Sequence, residues 1–289
     1  MKAAPFRYCR PESLVSALEL LAQYGDEARL LAGGQSLLPS LNMRLSAPAV
    51  LIDVSRIAEL RGITEGQGVL RIGAMSRHQE VEHSALVSAY APLLSAGMRH
   101  VAHPPIRALG TYGGSLALAD PAAEAPAATL AHAATLVVRS LKGERRIKAE
   151  DFFLGLYRTA LEPNEILLAG EFTRPDREHR FVFRELARRS GDFATVGVAL
   201  SAKVRGRRIT EPRIVLFGVS DRPILALLTA KALANKDFNQ ECMDDALTAL
   251  ATELDPWRDL LHDERTKLHL LGVLLKRGIK ELIAEDAHA

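Results

Sequence analysis

The stretch Leu30-Leu31-Ala32-Gly33-Gly34-Gln35-Ser36-Leu37-Leu38-Pro39 carries an apolar strand into two consecutive glycines and then into hydrogen-bonding side chains. Glycine lacks the Cβ that blocks close approach or positive φ, so such a turn can aim successive backbone N–H groups at an anion. Taken alone, the same residues also describe an ordinary tight turn. About 80 residues later, Leu109-Gly110-Thr111-Tyr112-Gly113-Gly114-Ser115-Leu116 repeats the design of glycines followed by a hydroxyl. One loop suits a phosphate. Two suit a ligand that carries two phosphates or lies across two subdomains, which is the description of a dinucleotide. The standard phosphate motifs are absent: Gly66-Gln67-Gly68 is followed by Arg71 where the Rossmann fingerprint needs glycine, and no P-loop pattern occurs.

Working outward, Leu14, Ala17, Leu18 and Leu21 follow the i, i+3, i+4, i+7 spacing of an amphipathic helix that ends at Gly25. Ala28 to Leu31 and Val50 to Val54 read as strands, giving a first αβ unit over residues 1–56. The pattern restarts at Val69 to Ala74 as a strand, with Ser76-Arg77-His78-Gln79 as a capping box for a short helix. Alanine-rich sequence from Ala117 to Ala134 favours helix, with Asp120 expected as N-cap, Pro121 in the first position and Glu124 in the first turn. Thr135 to Arg139 and Arg146 to Lys148 flank the turn Lys142-Gly143 as a hairpin. A second αβ unit spans 57–176, closed by the linker Thr173-Arg174-Pro175-Asp176. The remainder, 177–289, carries three strands near Phe181 to Leu186, Ala194 to Val204 and Arg213 to Val219, followed by helical sequence from Ile224 to the end. The expected class is α+β.

Composition narrows the function. The 289 residues are 48% hydrophobic and 25% charged, as in a globular protein with ample core. Lys+Arg 37 against Asp+Glu 35 leaves a net charge of +2, too little uniform field to hold a polyanion, so nucleic acid is a poor guess. The longest run free of Asp, Glu, Lys and Arg, His83 to Met98, is 16 residues and too polar to span a bilayer. Charges at Lys2, Arg7, Arg10 and Glu12 leave no apolar core for a signal peptide, and the chain reads as cytoplasmic. Any contact with the inner face of the membrane is expected through partners. Cys9 and Cys242 cannot supply the thiolates of a zinc or iron–sulfur site and read as small hydrophobes.

Other constellations carry less. His78 and His83 are five apart with no His-Glu-x-x-His, which argues against a zinc hydrolase, and no metal site is expected. His100 and His103 could share a helix face. Neither serine lies in a G-x-S-x-G elbow, and no catalytic acid, base or nucleophile is assigned. The run Arg177, Arg180, Arg184, Arg188, Arg189 alternates with Phe181, Phe183 and Leu186, the pattern of a half-buried strand with one arginine available to a cofactor.

The two loops, together with Ala119-Asp120-Pro121-Ala122-Ala123-Glu124 and Phe183-Arg184-Glu185-Leu186-Ala187-Arg188-Arg189-Ser190-Gly191-Asp192-Phe193-Ala194, resemble the FAD-binding medium subunit of molybdenum hydroxylases. That is the family of aerobic carbon monoxide dehydrogenase and xanthine dehydrogenase. The resemblance implies an FAD-binding fold similar to vanillyl-alcohol oxidase, made of two αβ subdomains, plus a C-terminal domain of a three-stranded antiparallel sheet with helices. It implies that Ala32, Gly33, Gly34, Gln35 and Ser36, with Thr111, Tyr112, Gly113, Gly114 and Ser115, hold the diphosphate and ribityl chain through backbone amides. By the same resemblance Glu124, Arg29 and Leu167 are contact positions, Arg184 lies near the flavin pyrimidine, and Phe193 lies beside the isoalloxazine. The family often has Asn, Ile and His where this chain has Ala108, Tyr112 and Leu118.

The implied activity is electron transfer: FAD would collect electrons from [2Fe-2S] clusters on a small iron–sulfur subunit, after hydroxylation at the molybdenum cofactor of a large subunit, in a dimer of heterotrimers. The alternative is a stand-alone FAD-dependent oxidase or dehydrogenase acting directly on a small organic substrate. A third is a scaffold that has lost its cofactor.

Overall fold

The computed structural model describes residues 2–284, so the last five residues of the expected C-terminal helical stretch lie outside the described residues. Near the N-terminus the elements run β1 (Arg7–Cys9), α1 (Leu14–Tyr24), β2 (Ala28–Leu31), α2 (Leu37–Asn42) and β3 (Val50–Asp53). Ser13 caps α1 by accepting from the Ser16 amide at 3.2 Å, and Leu14, Ala17, Leu18 and Leu21 are the residues that α1 buries. The strands pair in parallel in the order β1-β3-β2. Parallel neighbours need a crossover, and the first glycine loop with α2 begins the one that joins β2 to β3. The strand β1 has no apolar alternation, which is why the sequence reading stops at two strands.

The middle of the chain opens with the hairpin β4 (Ile63–Gly66) and β5 (Val69–Gly73). Six short helices follow: α3 (His78–His83), α4 (Ala85–Tyr90), α5 (Pro92–Met98), α6 (Pro104–Leu109), α7 (Tyr112–Leu118) and α8 (Glu124–Ala131). After them come β6 (Thr135–Ser140), β7 (Gly143–Lys148), α9 (Ala149–Phe152), β8 (Phe153–Gly155), β9 (Arg158–Thr159) and β10 (Ile166–Thr173). The sheet is antiparallel in the order β4-β5-β10-β6-β7. Three helix expectations shift. Arg77, not Ser76, precedes α3, with its amide donating to Glu80 Oε2 at 2.7 Å. Asp120 is not the cap of α8: its Oδ1 accepts from the Ala122 amide at 2.9 Å in a local turn, Ala119 ends α7 at φ 53, and Ala123 precedes α8. His100 follows α5 and His103 precedes α6, so the two share no helix.

The C-terminal part holds β11 (His179–Leu186), β12 (Val196–Arg205), β13 (Arg208–Phe217), β14 (Ile224–Leu225), α10 (Leu227–Leu233), β15 (Lys236–Asp237), α11 (Gln240–Glu253) and α12 (Glu264–Ala284). Three long antiparallel strands form the sheet as expected, and the two-residue β14 and β15 both add to β13. Side chains alternate across a strand. Val182, Leu200 and Leu216 face the core shared with α10, α11 and α12. Phe181, Phe183, Ala199, Val215 and Phe217 face the core of the middle unit. The C-terminal sheet is thus a wall between its own helices and the helical layer that carries the second glycine loop. No described helix is long and apolar enough to cross a membrane.

Candidate functional site

The two glycine loops, far apart in sequence, touch. A Cβ on Gly33 would strike the Leu109 carbonyl oxygen and lie 2.9 Å from Gly110 Cα and 3.0 Å from the Leu109 carbonyl carbon. Reciprocally, the nearest residue beyond the second loop to a Cβ on Gly114 is Ala32, at 3.6 Å. Glycine is required at Gly33 because backbone meets backbone there.

The loops differ in what their amides do. In the second, Thr111 caps α7 and is buried. The amides of Tyr112 and Gly113 donate to Ser76 O at 2.9 Å and Ala74 O at 2.8 Å. Those of Gly114 and Ser115 donate to Thr111, through Oγ1 and O respectively, each at 3.1 Å. Those four donors tie α7 to the segment that follows β5 and to its own cap. In the first loop, among the described residues, the amides of Gly33, Gly34, Gln35, Ser36 and Leu37 make no hydrogen bond. Gly34 takes φ 73, the left-handed value that turns successive amides to one side. Gln35 Nε2 donates to Gly33 O at 3.0 Å and stiffens the turn. Ser36 accepts both the amide and the hydroxyl of Ser40 at its carbonyl, at 3.2 and 2.9 Å, which leaves its own hydroxyl at the loop.

Residues that the motif reading did not single out as site residues hold the second loop in place. His78 is buried on α3; its Nε2 donates to Thr111 O at 2.9 Å, and its amide donates to Gly110 O at 3.0 Å. Burial pulls its pKa down to about 4, so the ring is neutral at physiological pH. Its Nδ1 is buried without a partner and lies 3.0 Å from where a Gly110 Cβ would stand. The Arg77 guanidinium donates to the Leu109 carbonyl that Gly33 abuts. Beside it opens a cavity of about 440 Å³ lined by Arg77, Gln79, Glu80, His83 and Ala108. Tyr112, standing where the family often has Ile, is fully buried with its hydroxyl 3.1 Å from Thr129 Oγ1. Gly170 on β10 makes room for the ring, since a Cβ there would lie 3.0 Å from Tyr112 Cζ.

The remaining candidates disperse. Arg29 folds back on the carbonyls of Asp26 and Ala28 at 3.0 and 2.8 Å and does not join the loops. Leu167 is buried in the core on β10. Phe193 is 72% exposed, a ring open to a planar partner. Arg184 stands apart from the two loops in this structure. The alternation of β11 sends it to the helical face, where its Nε donates to Glu281 on α12 at 2.8 Å. Its neighbour Glu185 faces the middle unit instead, buried near Glu124. Arginine parity along the strand was visible; which parity faced inward was not. Among the described residues no cluster of three His, Cys, Asp or Glu could hold a metal ion.

An open nest of amides backed by a second glycine loop fits the diphosphate of a dinucleotide, and the α+β fold around it is that of an FAD-binding flavoprotein. The chain matches the family model of the FAD binding domain in molybdopterin dehydrogenase over residues 4–172 and that of the CO dehydrogenase flavoprotein C-terminal domain over 181–282. It is 35% identical over 282 residues to a carbon monoxide dehydrogenase medium chain from Hydrogenophaga pseudoflava, covering 98% of each chain. It is 40% identical to the caffeine dehydrogenase subunit beta from Pseudomonas sp. (strain CBB1), covering 100% of this chain and 98% of that one. A solved structure of carbon monoxide dehydrogenase from Hydrogenophaga pseudoflava superposes with a TM-score of 0.95 at 36% identity, over 98% of this chain and 99% of that one. The chain belongs to the family of FAD-binding medium subunits of molybdenum hydroxylases.

Proposed function

We propose that this chain passes electrons from the iron–sulfur clusters of a small subunit through FAD to an external acceptor, within a complex whose large subunit carries the molybdenum cofactor. The observation that carries the reading is the set of unspent amides from Gly33 to Leu37 at the point where the two glycine loops meet. In this reading those amides and the Ser36 hydroxyl hold the diphosphate, as positive partial charges that need no side-chain cation. Thr111 and Ser115 offer hydroxyl groups to the same chain of the cofactor, while Tyr112, Gly113 and Gly114 fix the shape of the opposite wall. Ala32 closes the floor. Glu124 is a contact at the inner end, and Phe193 covers the ring. The described residues of the units 1–56 and 57–176 form the two halves of the cleft, and those of 177–289 form its far wall. When bound, FAD supplies the redox chemistry, accepting and releasing electrons in one- or two-electron steps. The protein's part is to orient it and leave one edge open to partners, while the packed Tyr112 and Phe172 rings (centroids 6.3 Å apart) brace α7 against β10. We place the complex in the cytoplasm as a dimer of heterotrimers, with any membrane contact made through another component.

Equilibrium binding of FAD, ADP and riboflavin to the flavin-free chain tests the reading. Tight 1:1 FAD binding, competition by ADP and much weaker binding of riboflavin are expected. Riboflavin bound as tightly as FAD would remove the role of the amide nest.

A further inference from the structure

The contact between the middle unit and the C-terminal sheet buries two carboxyl groups. Glu124 opens α8 and is 7% exposed. Glu185 lies on the inner face of β11 with its side chain 3% exposed. Among the described residues, no Lys or Arg forms an ion pair with either. Glu185 Oε1 stands 3.9 Å from His100 Nδ1, just beyond the end of α5, and Glu185 Oε2 is buried with no partner at all. The helix α5 closes over them: a Cβ on Gly97 would lie 3.2 Å from the Phe183 ring and 3.4 Å from Glu124 Cβ. The other charged groups acting on the cluster give no relief. Asp120, which lies within reach of the Tyr157 hydroxyl at 3.4 Å, adds a like charge. Burial, and then the Arg99 charge, hold His100 below its ordinary range and so mostly neutral.

Two carboxylates cannot both ionise in such a place, because each pays the desolvation cost and neither has a cation. A proton is the counter-ion that fits. Burial raises Glu124 to about 8, with the Glu185 charge as the next cause, and burial raises Glu185 to about 7.

We infer that Glu124 and Glu185 are each held protonated where the middle unit meets the C-terminal sheet, that their neutrality closes this contact, and that loss of those protons as pH rises into the alkaline range loosens it. The folded protein then binds more protons than the unfolded chain. The contribution to stability is full below the ordinary carboxyl range and is lost as pH rises through about 7 and about 8. Since Glu124 is also a proposed FAD contact, the loosening reaches the cofactor; that consequence rests on the functional reading, and the protonated carboxyl groups do not.

The experiment compares the full chain with E185Q and E124Q, which keep the size and hydrogen bonds but cannot ionise. Melting temperature is followed between about pH 6 and about pH 9, together with the infrared band of protonated carboxyl groups and amide hydrogen exchange in β11 and α5. In the unaltered chain a protonated-carboxyl band persists at neutral pH, and the melting temperature falls and exchange quickens on the alkaline side. In each variant that band is diminished and both pH dependences flatten. The inference is overturned if neither variant alters the neutral-pH band, or if the alkaline fall is the same in all three proteins. Should one variant fail to fold, the other and the band in the unaltered chain decide the matter. Failure to bind FAD at any pH, with the alkaline fall intact, would count against the functional reading and leave the two protonated carboxyl groups standing.

Discussion

Replacing Gly33 with alanine adds one methyl group at the point where the two loops meet. That Cβ would lie 2.9 Å from Gly110 Cα and 3.0 Å from the Leu109 carbonyl carbon, with the Leu109 oxygen closer still. All three are backbone atoms, so no side chain can rotate aside, and the loops must part by roughly 0.5–1 Å to restore ordinary contact near 3.4–4 Å. Overpacking of this kind costs about 1–3 kcal/mol. If the cost falls on the assembled cleft, FAD affinity drops by about five- to 150-fold, at about 1.4 kcal/mol per factor of ten. The assay is titration of the flavin-free variant with FAD, read by quenching of flavin fluorescence and checked against the melting temperature. Gly66→Ala is the control, since nothing lies within 4 Å of its added Cβ and its φ is not positive. If Gly33→Ala binds FAD as tightly as the control, the apposed loops do not form the cofactor site.

Three further substitutions probe the supporting structure. His78→Ala strands the buried Thr111 carbonyl and should cost about 1–3 kcal/mol in chemical denaturation, with weakened FAD binding. Because the His78 pKa is lowered to about 4 in the folded state, its contribution is full above the ordinary value of 6.5 and is lost as pH falls toward 4; the variant should show a flatter acid limb of stability. Tyr112→Phe removes the hydroxyl bonded to Thr129 Oγ1 and should cost about 1 kcal/mol with no change in flavin absorbance; a shifted flavin spectrum would mean that Tyr112 touches the ring. Arg184→Ala breaks a half-exposed pair with Glu281 and should cost at most about 1 kcal/mol. Its flavin reduction potential should match the unaltered protein, and a displaced potential would return Arg184 to the cofactor.

Where residue pattern and three-dimensional environment agreed, the fold was readable. The i, i+3, i+4, i+7 spacing from Leu14 to Leu21 returned α1 with those residues buried, and the Lys142-Gly143 turn returned the β6–β7 hairpin. The long strands of the C-terminal sheet likewise followed from alternation. Elements without periodicity did not emerge. β10 opens with four apolar residues, Ile166 to Ala169, and then carries Gly170 and Glu171, so it shows no alternation, and the helices between His78 and Leu118 are too short to show a face. Alanine propensity blurred α7 into α8, because the break between them is made by Ala119 in the left-handed region and by an aspartate turn, not by a glycine.

The site was legible to the extent that glycine reports close backbone approach. Gly33 and Gly114 marked the place where the loops meet, since that requirement is local. What lay beyond it depended on partners that sequence does not pair. His78 acts through a carbonyl 33 residues away, and Gly170 is explained only by the Tyr112 ring. The placement of Arg184 and Glu185 on opposite faces of the sheet turned on which face of β11 packs inward, a choice set by Phe181 and Phe183 meeting the middle core.

A crystal structure of the chain bound to FAD decides where the cofactor sits. The diphosphate oxygens are expected at about 3 Å from the amides between Gly33 and Leu37, with the second loop opposite. A cofactor seated away from that nest, or phosphates held by arginine side chains while those amides face water, would rule out the proposed site.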